Sequence, residues 1–171
     1  MSSVLFSFFV VVFFPALMAM SASLDLLTMT IPNRIPVALV VGYFILAAMT
    51  GMPPQLVVFD LSCGLAVLLV TFVMFSLSWI GGGDAKLAAA TAVWMGWSSI
   101  FSYGVMAAIY GGFLTLGILA ARARPLPAIL ARQDWVARLH DSNTGVPYGV
   151  ALAAAGMIQY PHSELWAGAL R

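Results

Sequence analysis

In a chain of 171 residues with 63% hydrophobic and 8% charged, too few charges are present to coat a globule in water, where about a quarter is usual. The lipid bilayer is therefore the expected solvent and partner. A net charge of +1 without any basic block argues against nucleic acid, and the one cysteine, Cys63, excludes an internal disulfide or a paired-cysteine zinc site.

The charged residues act as punctuation. None occurs from Met1 to Leu24, from Ile35 to Phe59, from Leu61 to Gly83, or from Leu87 to Ala121. A spanning helix needs about 20 apolar residues. The first three runs predict one helix each, over 3–23, 35–50 and 55–79. Within the first, Met20-Ser21-Ala22-Ser23 resembles a signal-peptidase site. No Lys or Arg precedes Arg34, however, and the apolar run exceeds the about 7–15 residues of a signal core, so this segment is expected to stay as a helix. The fourth run is too long for one span and breaks at Gly96-Trp97-Ser98-Ser99, predicting helices over 84–97 and 101–121. Pro125 and Pro127 mark the exit from the latter. Between Arg122 and Gly145, charged residues alternate with Leu130, Trp135, Val136 and Leu139, which suits a short amphipathic helix at the membrane interface. A last helix over 146–160 stops at Pro161. The expected fold is all-α: one polytopic membrane domain, residues 1–171, with about six transmembrane helices.

Six spans alternate sides. Arg34, Lys86, Arg122, Arg124, Arg132 and Arg138 then share one face, and Arg171 alone falls on the other. Excess Lys and Arg mark the cytoplasmic side. The N-terminus and the C-terminus are accordingly expected outside.

Asp25 ends the first span and Asp84 begins the fourth, so the two emerge on one side whichever way the chain faces. Carboxylates near hydrocarbon are costly and face a partner or a water cavity. Taken alone, Asp84 behind Gly81-Gly82-Gly83 reads equally well as a helix N-cap, and Asp25 reads better as a boundary residue that stops the first span. Taken together they form a constellation. Asp25-x5-Ile31-Pro32-Asn33 at the end of helix one, with Gly81-x-Gly83-Asp84-Ala85-Lys86-Leu87 at helix four, resembles the type IV prepilin peptidases, the GxGD aspartic peptidases of the bacterial membrane. Val146-Pro147-Tyr148-Gly149 at the opening of helix six is similar to that family too.

The resemblance implies that Asp25 and Asp84 are the catalytic pair, activating water between them and sharing one proton because like charges at close range cannot both ionise. It implies cleavage of a short basic leader, ending in Gly, from a pilin-like precursor on the cytoplasmic face of the inner membrane, with no cofactor and no metal. Gly81 and Gly83 would let substrate backbone lie beside Asp84. Lys86 would favour ionised Asp84 or guide acidic substrate residues, though a snorkelling interfacial lysine is the better account of it. Pro32 and Asn33 would shape the turn below the site. The closest likeness is to the short peptidases of Tad/Flp-type pili. The longer members carry paired CxxC motifs and an N-methyltransferase activity, which a chain with one cysteine is not expected to share.

Other readings are another GxGD intramembrane peptidase, a proton-coupled transporter component, or an inert assembly subunit. The first usually has Tyr before its first aspartate, where Leu24 stands here. The second calls for repeat symmetry that the sequence lacks. Asp60, near the outer end of helix three, is expected to pair with a polar group or face the outer interface. His140 with Asp141 and His162 with Glu164 fall on opposite sides and cannot form one metal site.

Overall fold

Each apolar run folds as a helix, and its ends lie where proline, glycine or charge makes a helix costly. The computed structural model describes Phe6 and residues 9–169, and all regular structure among them is helical. The expected helix start at residue 3 and the outer Arg171 lie outside the described residues. A π-helical turn, Phe9–Phe13, runs directly into α1, Phe14–Thr28, and Pro15, which has no N–H to donate, stands just past the junction of the two. α1 ends at Met29, a left-handed residue with φ 55° whose N–H bonds the Asp25 carbonyl at 2.8 Å. The helix therefore runs several residues past the expected 23, and Asp25 lies within its last turns.

α2, Arg34–Thr50, stops at Gly51 with φ 66°. α3, Pro54–Ser76, begins on a proline and ends before Trp79. α4, Gly82–Arg122, contains the break expected at Gly96, whose φ of 60° and ψ of 179° are not helical. The break folds α4 back on itself. Tyr148 bonds the Ala107 carbonyl in the second arm at 3.1 Å, while the next residue, Gly149, neighbours Asp84 at the start of the first. A straight helix would hold Asp84 and Ala107 about 35 Å apart. Thr91 and Tyr103 likewise meet across the fold. α5, Asp134–His140, is the expected amphipathic helix, and α6, Tyr148–Gln159, and the short α7, Glu164–Ala169, complete the chain.

Trp94 centres the core at 1% exposure. Phe14, Tyr43 and Tyr160 surround it at ring-centroid distances of 5.0, 6.2 and 5.6 Å, and its indole N–H donates to the Leu39 carbonyl at 2.9 Å. The outside is apolar as well. α3 buries only Cys63 and Gly64 and turns Leu69, Val70, Phe72 and Val73 outward. Such a surface is costly in water and ordinary in lipid. Three helices, Phe9–Thr28, Pro54–Ser76 and Gly82–Arg122, are long and apolar enough to cross a membrane, and Arg34–Thr50 is a shorter apolar helix.

Candidate active site

The end of α1 and the starts of α4 and α6 converge at one end of the bundle. Asp25, in α1, is buried at 6% exposure, and its Oδ2 accepts the Gly149 N–H at 2.7 Å. Gly149 is the second residue of α6, where backbone N–H groups lack intrahelical partners and the helix dipole is positive. Pro147, the residue that caps α6, offers no side-chain hydrogen bond. A carboxylate 124 residues away in sequence supplies it instead. A hydrogen bond to a charged acceptor contributes about 1.5–3 kcal/mol.

Asp84 is not an N-cap. Gly81 caps α4 in an extended conformation, φ −72° and ψ 146°, which makes Asp84 the third helical residue. From there its carboxylate turns back towards the Gly81 amide, the geometry by which an acidic side chain at this position covers the helix start. The same carboxylate lies beside the Gly149 amide and within coulombic reach of Asp25. Its Oδ1 is buried and makes no protein hydrogen bond. Buried polar atoms are rarely left so, and such exceptions call for a reason. Two carboxylates from separate helices therefore adjoin one amide, and one oxygen remains free to accept.

The glycines divide their roles. A Cβ on Gly81 would meet only the Asp84 carboxylate, 3.0 Å from Oδ2. A Cβ on Gly83 would stand 3.2 Å from Ile31 Cβ, so this glycine lets the start of α4 close on the α1–α2 connection of its own chain. A Cβ on Gly149 would stand 2.7 Å from Ile31 Cδ1 and 2.8 Å from Asp25 Oδ2. Ile31, buried at 8% exposure, is thus the wedge between α4 and α6. Sequence reasoning left Ile31 and Gly149 out of the site, although both stood inside the motifs that pointed to it.

Lys86 is turned away from Asp84. Two helical residues differ by about 200° around the axis. The ammonium donates to Asn33 Oδ1 at 2.9 Å, tying the start of α2 to the first turn of α4. Pro32 accepts the Ile35 N–H at 3.0 Å and begins that helix. Lys86 and Asn33 form the polar end of an open groove of about 620 Å³ whose other walls are apolar, among them Val37, Val41, Leu65 and Val93.

Basic side chains hold the same end together. Arg122 donates to the carbonyls of Leu139, Thr144 and Gly145 at 2.8, 3.1 and 3.0 Å, and Arg138 to the Leu27 carbonyl at 2.8 Å. Tyr148 seats its ring on Gly111. These contacts fix the approach to α6 and so the Gly149 amide. Asp60 lies elsewhere: its Oδ2 accepts from the Tyr43 hydroxyl at 2.7 Å, beside Gly96. Asp141 bonds the Asn143 amides, and His162 and Glu164 sit at the opposite end, by the Gly96 fold. Among the described residues, no three His, Cys, Asp or Glu side chains gather as a metal site would require.

An apolar helical bundle in which two carboxylates meet at one end defines a membrane protein with a polar site at that end. Residues 12–118 match the type IV leader peptidase family, more than half of the chain, and the protein belongs to that family. It is therefore a peptidase. Neither a curated protein nor a solved structure matches it.

Proposed function

We propose that the chain is an aspartic endopeptidase that removes the leader from pilin-like precursors, of the Flp type, at the cytoplasmic face of the bacterial inner membrane. The observation that carries this reading is the meeting of Asp25 and Asp84 at the Gly149 amide, with Asp84 Oδ1 unpartnered. Hydrolysis then runs as a proton exchange. The ionised member of the pair takes a proton from water as its oxygen attacks the scissile carbonyl carbon. The protonated member gives its proton to the carbonyl oxygen. Collapse of the tetrahedral intermediate breaks the C–N bond as the pair gives one proton to the leaving amine and takes one from a hydroxyl of the gem-diol, which restores its single shared proton. The shared proton belongs to the dyad as a whole.

The placement of charge supports a cytoplasmic site. Arg34, Lys86, Arg122 and Arg138 all lie at the pole that holds the two aspartates, as the excess of basic residues on cytoplasmic faces favours. With α4 counted as two spans, α1, α2, α3, both arms of α4, and α6 give six spans in a single membrane domain, with both termini outside. Cysteine labelling tests this. Residues near Gly51 and Ser163 should label from outside and Ala128 from inside; an externally labelled Ala128 overturns the orientation.

The activity itself is tested with purified protein and a precursor whose basic leader ends in Gly. The expected product is cut after that Gly and carries no label when a labelled methyl donor is present. An intact precursor at high enzyme concentration counts against the substrate, and a labelled new N-terminus against the absence of methyl transfer.

A further inference from the structure

We infer that Gly149, through its backbone N–H, is a positioning residue of the reaction: the N-terminus of α6 holds the Asp25 carboxylate in place and stabilises the single negative charge of the pair. The inference rests on the two-aspartate reading and adds a third chain segment to it. Two carboxylates brought together in an apolar bundle repel each other and need a positive partner. Lys86, the basic residue nearest Asp84 in sequence, gives its ammonium to Asn33. The pole directed at the pair is instead the start of α6, a helix of 12 residues whose own cap supplies no side-chain bond. Its Gly149 N–H reaches Asp25 Oδ2 at 2.7 Å and adjoins Asp84 as well.

The position admits no side chain. Asp25 Oδ2 and Ile31 Cδ1 both lie where a Cβ would stand, at 2.8 and 2.7 Å. Neither has room to retreat, since Asp25 and Ile31 are buried at 6% and 8% exposure. The surroundings hold the amide still: Pro147 precedes it, Tyr148 is bonded to Ala107 at 3.1 Å, and Arg122 grips Thr144 and Gly145 upstream. An amide so fixed stabilises charge without reorganising during the reaction, which is what makes a preorganised donor effective.

The test compares Gly149→Ala with Gly149→Ala/Ile31→Val in the precursor assay, at matched membrane levels. Valine lacks the Cδ1 atom and so relieves the clash with Ile31, while the clash with Asp25 stays. Gly149→Ala should lower kcat about 10²-fold, the scale of a misplaced reacting group, with KM little changed. The double variant should recover thermal stability and remain slow. Gly117→Ala is the control with normal activity, because a Cβ there meets nothing within 4 Å. Recovery of kcat in the double variant would show Gly149 to be packing alone, as would a Gly149→Ala loss expressed in KM. Asp25→Asn in the same assay separates the two ideas. If it is inactive while Gly149→Ala is active, this inference fails alone; if it is active, the dyad fails as well.

Discussion

Two poles of the molecule each hold an aspartate against a glycine, and they differ in what is left over. At one, Asp60 Oδ2 takes the Tyr43 hydroxyl at 2.7 Å and Oδ1 occupies the space where Gly96 would carry a Cβ. This carboxylate is a clasp: it ties α2 and α3 to the fold-back of α4. At the other, Asp25 is held by Gly149, but a second carboxylate stands beside it, and Asp84 Oδ1 has no protein partner. A lone carboxylate that accepts from a buried hydroxyl can hold helices together inside a membrane protein. Where a second like charge is brought in and an oxygen left free, stability has been given up, and such sites are where chemistry is found.

The sharpest way to break this comparison is to neutralise each aspartate in turn. Asp25→Asn and Asp84→Asn preserve size but cannot exchange the proton of the pair. Each should lower precursor cleavage by about 10²–10⁴-fold, the range of general acid–base catalysis. The double variant should be little worse, because groups acting as one unit are not additive. Asp60→Asn should cleave normally. The readout is a gel shift from precursor to product at equal enzyme levels. Substantial cleavage by either single variant at the first pole, or its loss in Asp60→Asn, would remove the distinction between the poles.

Which parts of this contrast were legible beforehand follows from how local each is. Runs between charges locate the helices to within a few residues, since composition alone decides what a bilayer accepts. The break at Gly96 was readable because an apolar run of that length cannot be one span. The rank of Asp84 in its helix was not, because Gly81, Gly82 and Gly83 are each free to serve as the cap and only packing of Gly83 on Ile31 selects the first. The bond from Gly149 to Asp25 joins residues 124 apart, and no periodicity records it. Tyr43 with Asp60 was expected only as an unnamed polar partner, for the same reason.

The clasp predicts effects on stability rather than on cleavage. Gly96→Ala forces a side chain into φ 60° and into the Asp60 carboxylate, so unfolding in detergent should become easier by about 1–3 kcal/mol. Tyr43→Phe leaves Asp60 Oδ2 without its donor, a loss of about 1–3 kcal/mol and at its smaller end if water reaches the oxygen. Activity per folded molecule should hold in both. A variant at this pole that keeps its melting temperature but loses kcat would mean that the poles are coupled through α4.

The smallest expected effect belongs to Lys86, and it decides on which side of α4 that residue acts. If the ammonium served the dyad, removing its charge would alter the balance of Asp84 and lower kcat. The structure turns it about 200° away, onto Asn33 at 2.9 Å, at the mouth of an apolar groove. From there it meets whatever lies along α2 and α3 rather than the reacting bond. The interaction is solvent-exposed and contributes less than about 1 kcal/mol. Lys86→Gln should therefore raise KM for precursor about 2–5-fold and leave kcat unchanged. Asn33→Ala, which frees the ammonium without removing it, should have a smaller effect in the same parameter. A fall in kcat in Lys86→Gln that is absent in Asn33→Ala would place the charge of Lys86 with Asp84 after all, and the first pole would then contain a cation in addition to the dipole of α6.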